Sequence, residues 1–169
     1  MNIAHSVTIR VFCGQEENRD DLVNGLKFLL RSGQSLIAHS ASGEIAPFDL
    51  EKEKIAINRQ TAFGFNDRKI NIFEASLTKS RHVNAFLENL LGKLPEIQKQ
   101  MLLNQLESRI DDDRNLFVRL EKERLAKHND MLMIDGGNCY HIRIKVAAFP
   151  ASKEAAVAVM KKVMNGNKN

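Results

Sequence analysis

The chain has 169 residues, of which 43% are hydrophobic and 27% are charged, as in a globular protein with a sizeable core. No apolar run approaches the ~20 residues that cross a bilayer, and the amino-terminal segment lacks the apolar run of a signal peptide, so we expect a cytoplasmic protein with no membrane partner. The formal net charge of +4 permits an anionic partner without requiring one.

The amino-terminal part predicts a strand, a helix and an irregular segment. In "HSVTIRVF" three apolar residues alternate with Thr8 and Arg10, which is typical of a half-buried strand. "NRDDLVNGLKFLLR" has helical periodicity, with Asn18 as the expected N-cap and "SGQ" as the expected stop. Residues 35–53 contain Ser, Gly, Pro and a charge run, which predicts an irregular loop or insertion.

A hairpin of strands and a hairpin of helices are expected next. "KIAINRQTAF" and "KINIFEASL" flank the turn formers of "GFNDR", as in a β-hairpin. "SRHVNAFLENLLGKL" predicts a helix capped by Ser80 and ended by Gly92. "PEIQKQMLLNQLESRI" predicts a second, continuous helix packed against the first. The residues expected on its buried face are Ile97, Met101, Leu102, Leu106 and Ile110.

The last part of the chain predicts strands and a closing helix. "LFVRLEKERL" begins a strand, and "MLMID" either extends it or adds a short one. "HIRIKVAAFP" is the expected partner of that strand. "SKEAAVAVMKKVMNG" predicts a helix capped by Ser152 and ended by Gly166, with residues 165–169 as a frayed tail.

The strands and helices are grouped into hairpins and do not alternate strictly. This grouping predicts an α+β fold, in which an antiparallel or mixed sheet carries helices on one face. We expect one domain over residues 1–169, with the other face of the sheet left open.

Basic residues occupy the polar positions of three predicted strands. Arg10, Arg119, Arg143 and Lys145 would lie together on the open face if those strands are neighbours. Such a surface attracts phosphate groups, since binding releases counterions from a nucleic acid. The alternative is an ordinary solvated face, neutralised by cross-strand pairs with Glu121 or Glu123.

Two shorter segments are further candidates for contact with a nucleic acid. In "GFNDRK" Phe65 offers a ring for stacking, and Arg68 and Lys69 offer phosphate contacts. In "TKSRH" Lys79 and Arg81 stand at a helix N-terminus, which favours anions. Both segments are also common as a plain hairpin tip and a plain helix start.

Motifs of catalysis and metal binding are absent from the sequence. The carboxylates of "RIDDDRN" suit a helix-to-strand turn better than a Mg²⁺ site, and the five histidines lack metal-ligand spacing. Cys13 and Cys139 are expected to be two reduced thiols. One Tyr and no Trp indicate a sheet without the aromatic platform of an RRM-type module. We therefore expect no enzyme, no cofactor and no metal.

Several blocks of the chain together resemble the archaeal predicted RNA-binding family, whose members are often labelled exosome-associated. The blocks run from about residue 5 to residue 164, and the most specific are "RIDDDRNLFVRL" and "HIRIKVAAFP" followed by a helix. The resemblance implies an α+β fold like that of the ribosomal protein that binds 5S RNA, and a role with RNA. The turn "FGFNDRK" departs from the family pattern, which often has a second glycine there.

Two hypotheses of function follow. The first is a non-catalytic RNA-binding protein, accessory to RNA processing or degradation, whose partners are RNA and proteins of an RNA-processing complex. The second is a protein–protein interaction module that uses an exposed strand edge or the apolar helical hairpin, in a larger complex or a homodimer.

Overall fold

The protein is described from a computed structural model, which covers residues 2–34 and 50–166. The strands are β1 (Ala4–Cys13), β2 (Ile57–Phe63), β3 (Lys69–Leu77), β4 (Asn115–Glu121) and β5 (Cys139–Val146). The helices are α1 (Arg19–Gln34), α2 (Ser80–Lys93), α3 (Glu96–Asn104), α4 (Leu106–Arg109), α5 (Lys122–His128) and α6 (Lys153–Gly166). A short 3-10 turn, Phe65–Asp67, joins β2 to β3.

The strands form one sheet in the order β2-β3-β1-β5-β4, and each neighbouring pair is antiparallel. The first strand therefore becomes the centre of the sheet, between β3 and β5. The expected α+β fold with an antiparallel sheet is confirmed. The β2–β3 hairpin and the pairing of β4 with β5 also form as the sequence predicts.

One face of the sheet carries the core. Alternate residues of β1, such as Ile9 and Val11, are fully buried, and α1 and α2 pack on this side. Tyr140 of β5 is also fully buried, and its hydroxyl donates a hydrogen bond to the Leu22 carbonyl of α1 at 2.7 Å. The residues of the opposite parity point away from this core.

Helix α1 begins as predicted but ends later. The backbone amides of Asp20 and Asp21 donate to the Asn18 side chain at 3.0 and 3.3 Å, which confirms the N-cap. The helix continues through "SGQ" to Gln34, so the predicted stop is wrong. A glycine in a helix costs only about 1 kcal/mol, which does not by itself end one. Of the predicted irregular segment, residues 35–49 lie outside the described residues.

Helix α2 differs from the prediction at both ends. Ser80 is its first residue and does not cap it, since Lys79 holds the N-cap position without a side-chain hydrogen bond. The helix passes Gly92 and ends at Lys93. The next residue, Leu94, is extended because it precedes Pro95, whose ring disfavours helical geometry in the residue before it.

The predicted second helix is broken at Gln105. Helix α3 ends at Asn104, and the short α4 begins at Leu106. The Gln98 side chain of α3 faces inward and accepts a hydrogen bond from the Met133 amide at 2.8 Å. The predicted burial is correct for Leu102, Leu106 and Ile110. It is wrong for Ile97 and Met101, which stay 78% and 39% exposed.

Strand β4 is shorter than predicted. It ends at Glu121, whose carboxylate accepts hydrogen bonds from the Glu123 and Arg124 amides and so caps the unpredicted helix α5. The segment "MLMID" adds a single bridge, Leu120 with Met133, at the outer edge of β4. At the last helix, the Ser152 hydroxyl accepts from the Ala155 amide at 3.2 Å, which confirms that cap. None of the helices in the described ranges has the length and apolar character needed to cross a membrane.

Candidate nucleic-acid interface

The open face is defined here as the side of β4, β5 and β1 that points away from the core. In the antiparallel register Arg119 of β4, His141 of β5 and Arg10 of β1 lie side by side in one row. In the next row Phe117 is opposite Arg143, which in turn is opposite Thr8. The two rows bring three arginines from three adjacent strands around one histidine. Lys145 lies further along β5 on the same face, opposite Asn115 and Ser6.

The cations of the open face differ in their partners. Arg10 contacts the Glu74 carboxylate of β3, with Nε at 2.7 Å from Oε2, and the Arg10 side chain is 47% exposed. Arg119 donates to the Asp135 carbonyl at 3.0 Å, and Lys145 donates to the Asp113 carbonyl. Arg143 is exposed, and within residues 2–34 and 50–166 its side chain has no hydrogen bond or ion pair.

The carboxylates that the sequence offers as neutralising partners are engaged elsewhere. Glu121 caps α5, and Glu123 pairs with Lys127 one helical turn away at 3.0 Å. The carboxylate that pairs with a cation of the open face is Glu74, from the neighbouring strand β3. The alternative that Glu121 or Glu123 neutralises the open face is therefore wrong, because these two carboxylates have other partners.

Two phenylalanines stand on the open face beside the arginines. Phe12 and Phe117 are 38% and 39% exposed. The Phe12 ring meets the His141 ring edge-on, with ring centroids 5.6 Å apart. A count of Tyr and Trp alone misses these two rings. The signal was present, since Phe12 follows Arg10 by two residues and Phe117 precedes Arg119 by two.

The environment of His141 disfavours protonation of its imidazole. Partial burial, together with the positive charges of Arg119, Arg10 and Lys122, lowers the pKa of His141 below its usual value. The Cys139 sulfur lies 3.4 Å from Nε2 of the same ring. Burial raises the pKa of the Cys139 thiol, so its thiolate is disfavoured at neutral pH. The neutral imidazole of His141 is therefore favoured over the imidazolium in the free protein.

The hairpin tip between β2 and β3 forms a second exposed group. Phe65 is 90% exposed, and the Gly64 amide closes the turn on the Arg68 carbonyl at 2.7 Å. Asn66 and Asp67 adopt φ values of 62° and 55°. Asn and Asp tolerate this left-handed region, so the turn closes without the second glycine of the family pattern.

The tip lies beyond one end of the open face. Phe12 is opposite Ile72, and Arg68 precedes Ile72 by four residues, or about 13 Å of strand. A groove of about 700 Å³ separates the tip from residues 14–17. The groove is lined by the basic residues Arg68 and Lys69 on one side and by carboxylates of the 14–17 loop on the other.

Lys79 and Arg81 lie at the opposite end of β3. That end of the strand is marked by Leu77, which pairs with Val7 of β1. The Arg81 guanidinium forms an ion pair with Glu53, whose carboxylate also lies 2.8 Å from the buried His82 ring. These two cations are not on the open face, and the involvement of Lys79 and Arg81 in RNA contact stays a prediction.

The acidic turn before β4 is held together by local bonds. The Asp111 carboxylate accepts hydrogen bonds from the Asn115 amide at 2.8 Å and from its side chain at 3.1 Å. Burial alone would raise the pKa of Asp111, but these bonds bring it below its usual value. In the parts of the chain described here, no three His, Cys, Asp or Glu residues are grouped as metal ligands.

The sequence is similar to proteins that are described as RNA binding. A family model described as RNA binding matches residues 6–147. The chain is 29% identical over 163 residues to RNA-binding protein PAB1135 of Pyrococcus abyssi, and the match covers 96% of this chain and 95% of that protein.

Solved structures with low sequence identity share the fold. Mth689, a DUF54 protein from Methanothermobacter thermautotrophicus, superposes with a TM-score of 0.71 at 21% identity, over 96% of this chain and 98% of that one. AF2318 from Archaeoglobus fulgidus superposes with a TM-score of 0.75 at 21% identity, over 95% and 99% of the two chains. The relatives named here all come from archaea.

Proposed function

We propose that this chain, which belongs to the family described as RNA binding, binds RNA directly and does so through the open face. The observation that carries the proposal is the row of Arg119, His141 and Arg10, with Arg143 in the adjacent row. Three guanidinium groups on neighbouring strands can contact successive phosphates of one RNA strand. The similarity to a protein named RNA-binding supports the same conclusion.

The rigidity of the sheet favours this surface over a flexible basic tail. Arg10 and Arg143 keep their positions because strands on both sides hold the backbones of β1 and β5, so less ordering is required when RNA binds. Arg143 is the strongest phosphate ligand of the set, since within the described ranges no side chain or carbonyl competes for its guanidinium. The Arg10 guanidinium already pairs with the Glu74 carboxylate, so we assign Arg10 a smaller contribution to phosphate binding.

The hairpin tip provides a second contact in this proposal. Phe65, Arg68 and Lys69 are exposed and lie beyond the Phe12 end of the open face. An RNA strand that crosses the open face toward Phe12 continues in the direction of the tip. Lys145, whose ammonium group is bonded to the Asp113 carbonyl, stands near the other end of the path.

The test is a salt titration of binding to a fluorescently labelled RNA that contains a stem and a single-stranded tail. We compare the wild type with Arg143→Ala and with the control Arg124→Ala, whose side chain is 53% exposed on α5. The Arg143 variant should bind more weakly, and the slope of log affinity against log salt should become shallower by about one unit.

Two results would contradict the proposal. One is no measurable binding by the wild type at low salt. The other is an equal loss in both variants, which would indicate a diffuse charge effect without a defined surface. Far-ultraviolet circular dichroism of each variant checks that the fold is retained.

We also propose that the protein acts without catalysis, as an archaeal accessory of RNA processing or degradation in the cytoplasm. Support for a non-catalytic role comes from Cys13 and Cys139, which are buried and whose thiol pKa values are raised by that burial. Labelled RNA incubated with the protein and Mg²⁺ should keep its full length on a denaturing gel. Co-elution with purified exosome in size-exclusion chromatography tests the accessory role, which rests on the resemblance alone.

A protein-interaction role is the second candidate, and one observation favours it. Ile97 and Met101 are one turn apart on α3 and are both exposed. An apolar pair of this kind suits a partner protein or a second copy of the chain. Sedimentation analysis of the wild type and of Ile97→Ser/Met101→Ser tests it, since a dimer formed through α3 would dissociate in the variant.

A further inference from the structure

We infer that the open face selects unpaired RNA, and that Phe12 and Phe117 stack on its bases. This inference rests on the proposed function and specifies its ligand. The two rings lie at opposite corners of the surface formed by β4, β5 and β1. Two strand spacings across the sheet and four residues along the strands separate the two phenylalanines, which corresponds to about 17 Å. The three arginines lie around the line that joins the two rings.

Each ring lies near a guanidinium group of the open face. Phe117 is directly opposite Arg143 on the neighbouring strand. Phe12 meets His141 edge-on, and His141 in turn is opposite Arg10. A base that stacks on either ring therefore has a positive group within reach of its phosphate. Alternation of aromatic and basic groups is the arrangement that single strands require, since each nucleotide offers one flat apolar surface and one negative charge.

A duplex cannot use these rings. In double-stranded RNA the faces of the bases are stacked against one another inside the helix, and the grooves present phosphates, hydroxyl groups and base edges. Phenylalanine has no hydrogen-bonding group for these edges. A duplex on this face would bury two phenylalanines against a polar surface, whereas an unpaired strand would cover both rings with bases.

The position of the two rings separates them from ordinary exposed apolar residues. Single exposed hydrophobic side chains are normal on protein surfaces and need no ligand to explain them. Phe63 and Phe149 are of that kind, with exposures of 72% and 99%. Phe12 and Phe117 instead share one rigid face with Arg10, Arg119 and Arg143.

The experiment compares a labelled oligouridylate with an RNA duplex of the same length. The proteins are the wild type, Phe12→Leu, Phe117→Leu and the control Phe149→Leu. Leucine keeps an apolar side chain at the strand position but removes the flat ring. Loss of one stacked base by truncation to alanine corresponds to about a five- to hundredfold loss of affinity. With leucine we expect a loss of about fivefold for the single strand, no change beyond about twofold for the duplex, and no effect of the control.

A second readout reports stacking itself. An oligonucleotide that carries 2-aminopurine loses fluorescence when the base stacks on an aromatic ring, so the wild type should quench it and the double variant Phe12→Leu/Phe117→Leu should not. The urea midpoint of each variant shows whether the fold is intact.

The outcomes separate this inference from the proposed function. If the wild type binds neither RNA at low salt, the proposed function fails and the inference fails with it. If the wild type binds the duplex as tightly as the single strand, the inference is overturned and the proposed function stands. The inference is also overturned, and the proposed function retained, if the phenylalanine variants bind normally while Arg143→Ala binds weakly.

Discussion

His141 is the residue at which the chemistry of the open face can be followed most closely. It stands between Arg119 and Arg10 on the neighbouring strands, with the Cys139 thiol beside it and Lys122 of α5 nearby. In the free protein burial and the three cations oppose its protonation. A phosphate placed on the same surface would favour it, because an anion stabilises the imidazolium form.

The pKa of His141 predicts how stability depends on pH. An unfolded histidine has its ordinary pKa near 6.5, whereas folded His141 has a lower one. Between these values the unfolded chain binds more protons, so the free energy of unfolding falls as the pH drops below about 6.5. In urea unfolding at a series of pH values, His141→Gln should weaken this dependence between pH 7 and pH 5.

A matched variant and a second pH range complete that measurement. His128→Gln, at an exposed position of α5, controls for the loss of a histidine. Below pH 4.5 a separate loss begins, since the His82 hydrogen bond and the charge of Arg81 lower the pKa of Glu53 in the folded protein. If the wild type and His141→Gln lose stability in parallel between pH 7 and pH 5, the assignment to His141 is wrong.

At the scale of elements, the contact between α1 and β5 fixes the strand that carries Arg143 and His141. Tyr140 anchors β5 to α1 through its hydrogen bond to Leu22. Gly25 lies under the same ring, so that a Cβ placed there would be 2.3 Å from the Tyr140 hydroxyl oxygen and 3.2 Å from the Ala126 backbone. Glycine is required at this point by the close approach of the Tyr140 side chain and the Ala126 backbone, and not by its backbone angles.

This contact predicts an unusual cost for a helix-favouring substitution. Gly→Ala inside a helix is normally stabilising by up to about 1 kcal/mol. Here Gly25→Ala should destabilise the protein by about 1–3 kcal/mol, because the core around Tyr140 has no room for a methyl group. Urea unfolding measures the change. Tyr140→Phe should cost about 1 kcal/mol alone, and the double variant should cost less than the sum, since the phenylalanine removes the nearest clashing atom.

The strands were predictable from the sequence, whereas several helix boundaries were not. Burial alternates over Val7–Cys13 of β1 and over Tyr140–Val146 of β5, so Arg10 and Arg143 could be assigned to the polar face without a structure. Glu121 caps α5 through the amides two and three residues ahead, but Glu is not one of the usual N-cap residues. The contact of Gln98 with Met133, in the helix before the break at Gln105, is tertiary and leaves no local pattern. Ile97 was misassigned for the same reason.

The candidate site was predictable in its members but not in its arrangement. The parity rule that selects Arg10 also selects Phe12, and both could have been found from the sequence. The position of Glu74 opposite Arg10 needs the order and register of β3 and β1, since the two residues are 64 positions apart in the chain. The position of Arg81 away from the open face also depends on the order and register of these strands.

At the scale of the whole molecule, the basic groups follow a path from the open face toward the hairpin tip. The tip lies beyond Phe12, whereas Lys79 and Arg81 lie at the other end of β3. A short RNA would occupy the open face alone, and a longer one would also reach Arg68 and Lys69. The groups therefore divide into two sets that RNA length can distinguish.

This division predicts a dependence on oligonucleotide length. Arg68→Ala/Lys69→Ala should weaken binding of a dodecanucleotide, with a salt slope shallower by about two units, and leave a tetranucleotide unaffected. Arg143→Ala should weaken both. Fluorescence anisotropy with the two RNAs provides the comparison. Equal losses for both lengths in the Arg68/Lys69 variant would mean that the tip belongs to the same contact as the open face.

The most direct test of the central claim is a nuclear magnetic resonance titration of the isotopically labelled protein with a single-stranded RNA. Side-chain guanidinium signals of Arg143 and Arg119, and backbone amide signals of β1, β4 and β5, should shift together in proportion to the bound fraction. Signals of α1 and α2, which pack on the core side of the sheet, should stay in place. Shifts concentrated on the helices, with β5 unaffected, would contradict the assignment of RNA binding to the open face.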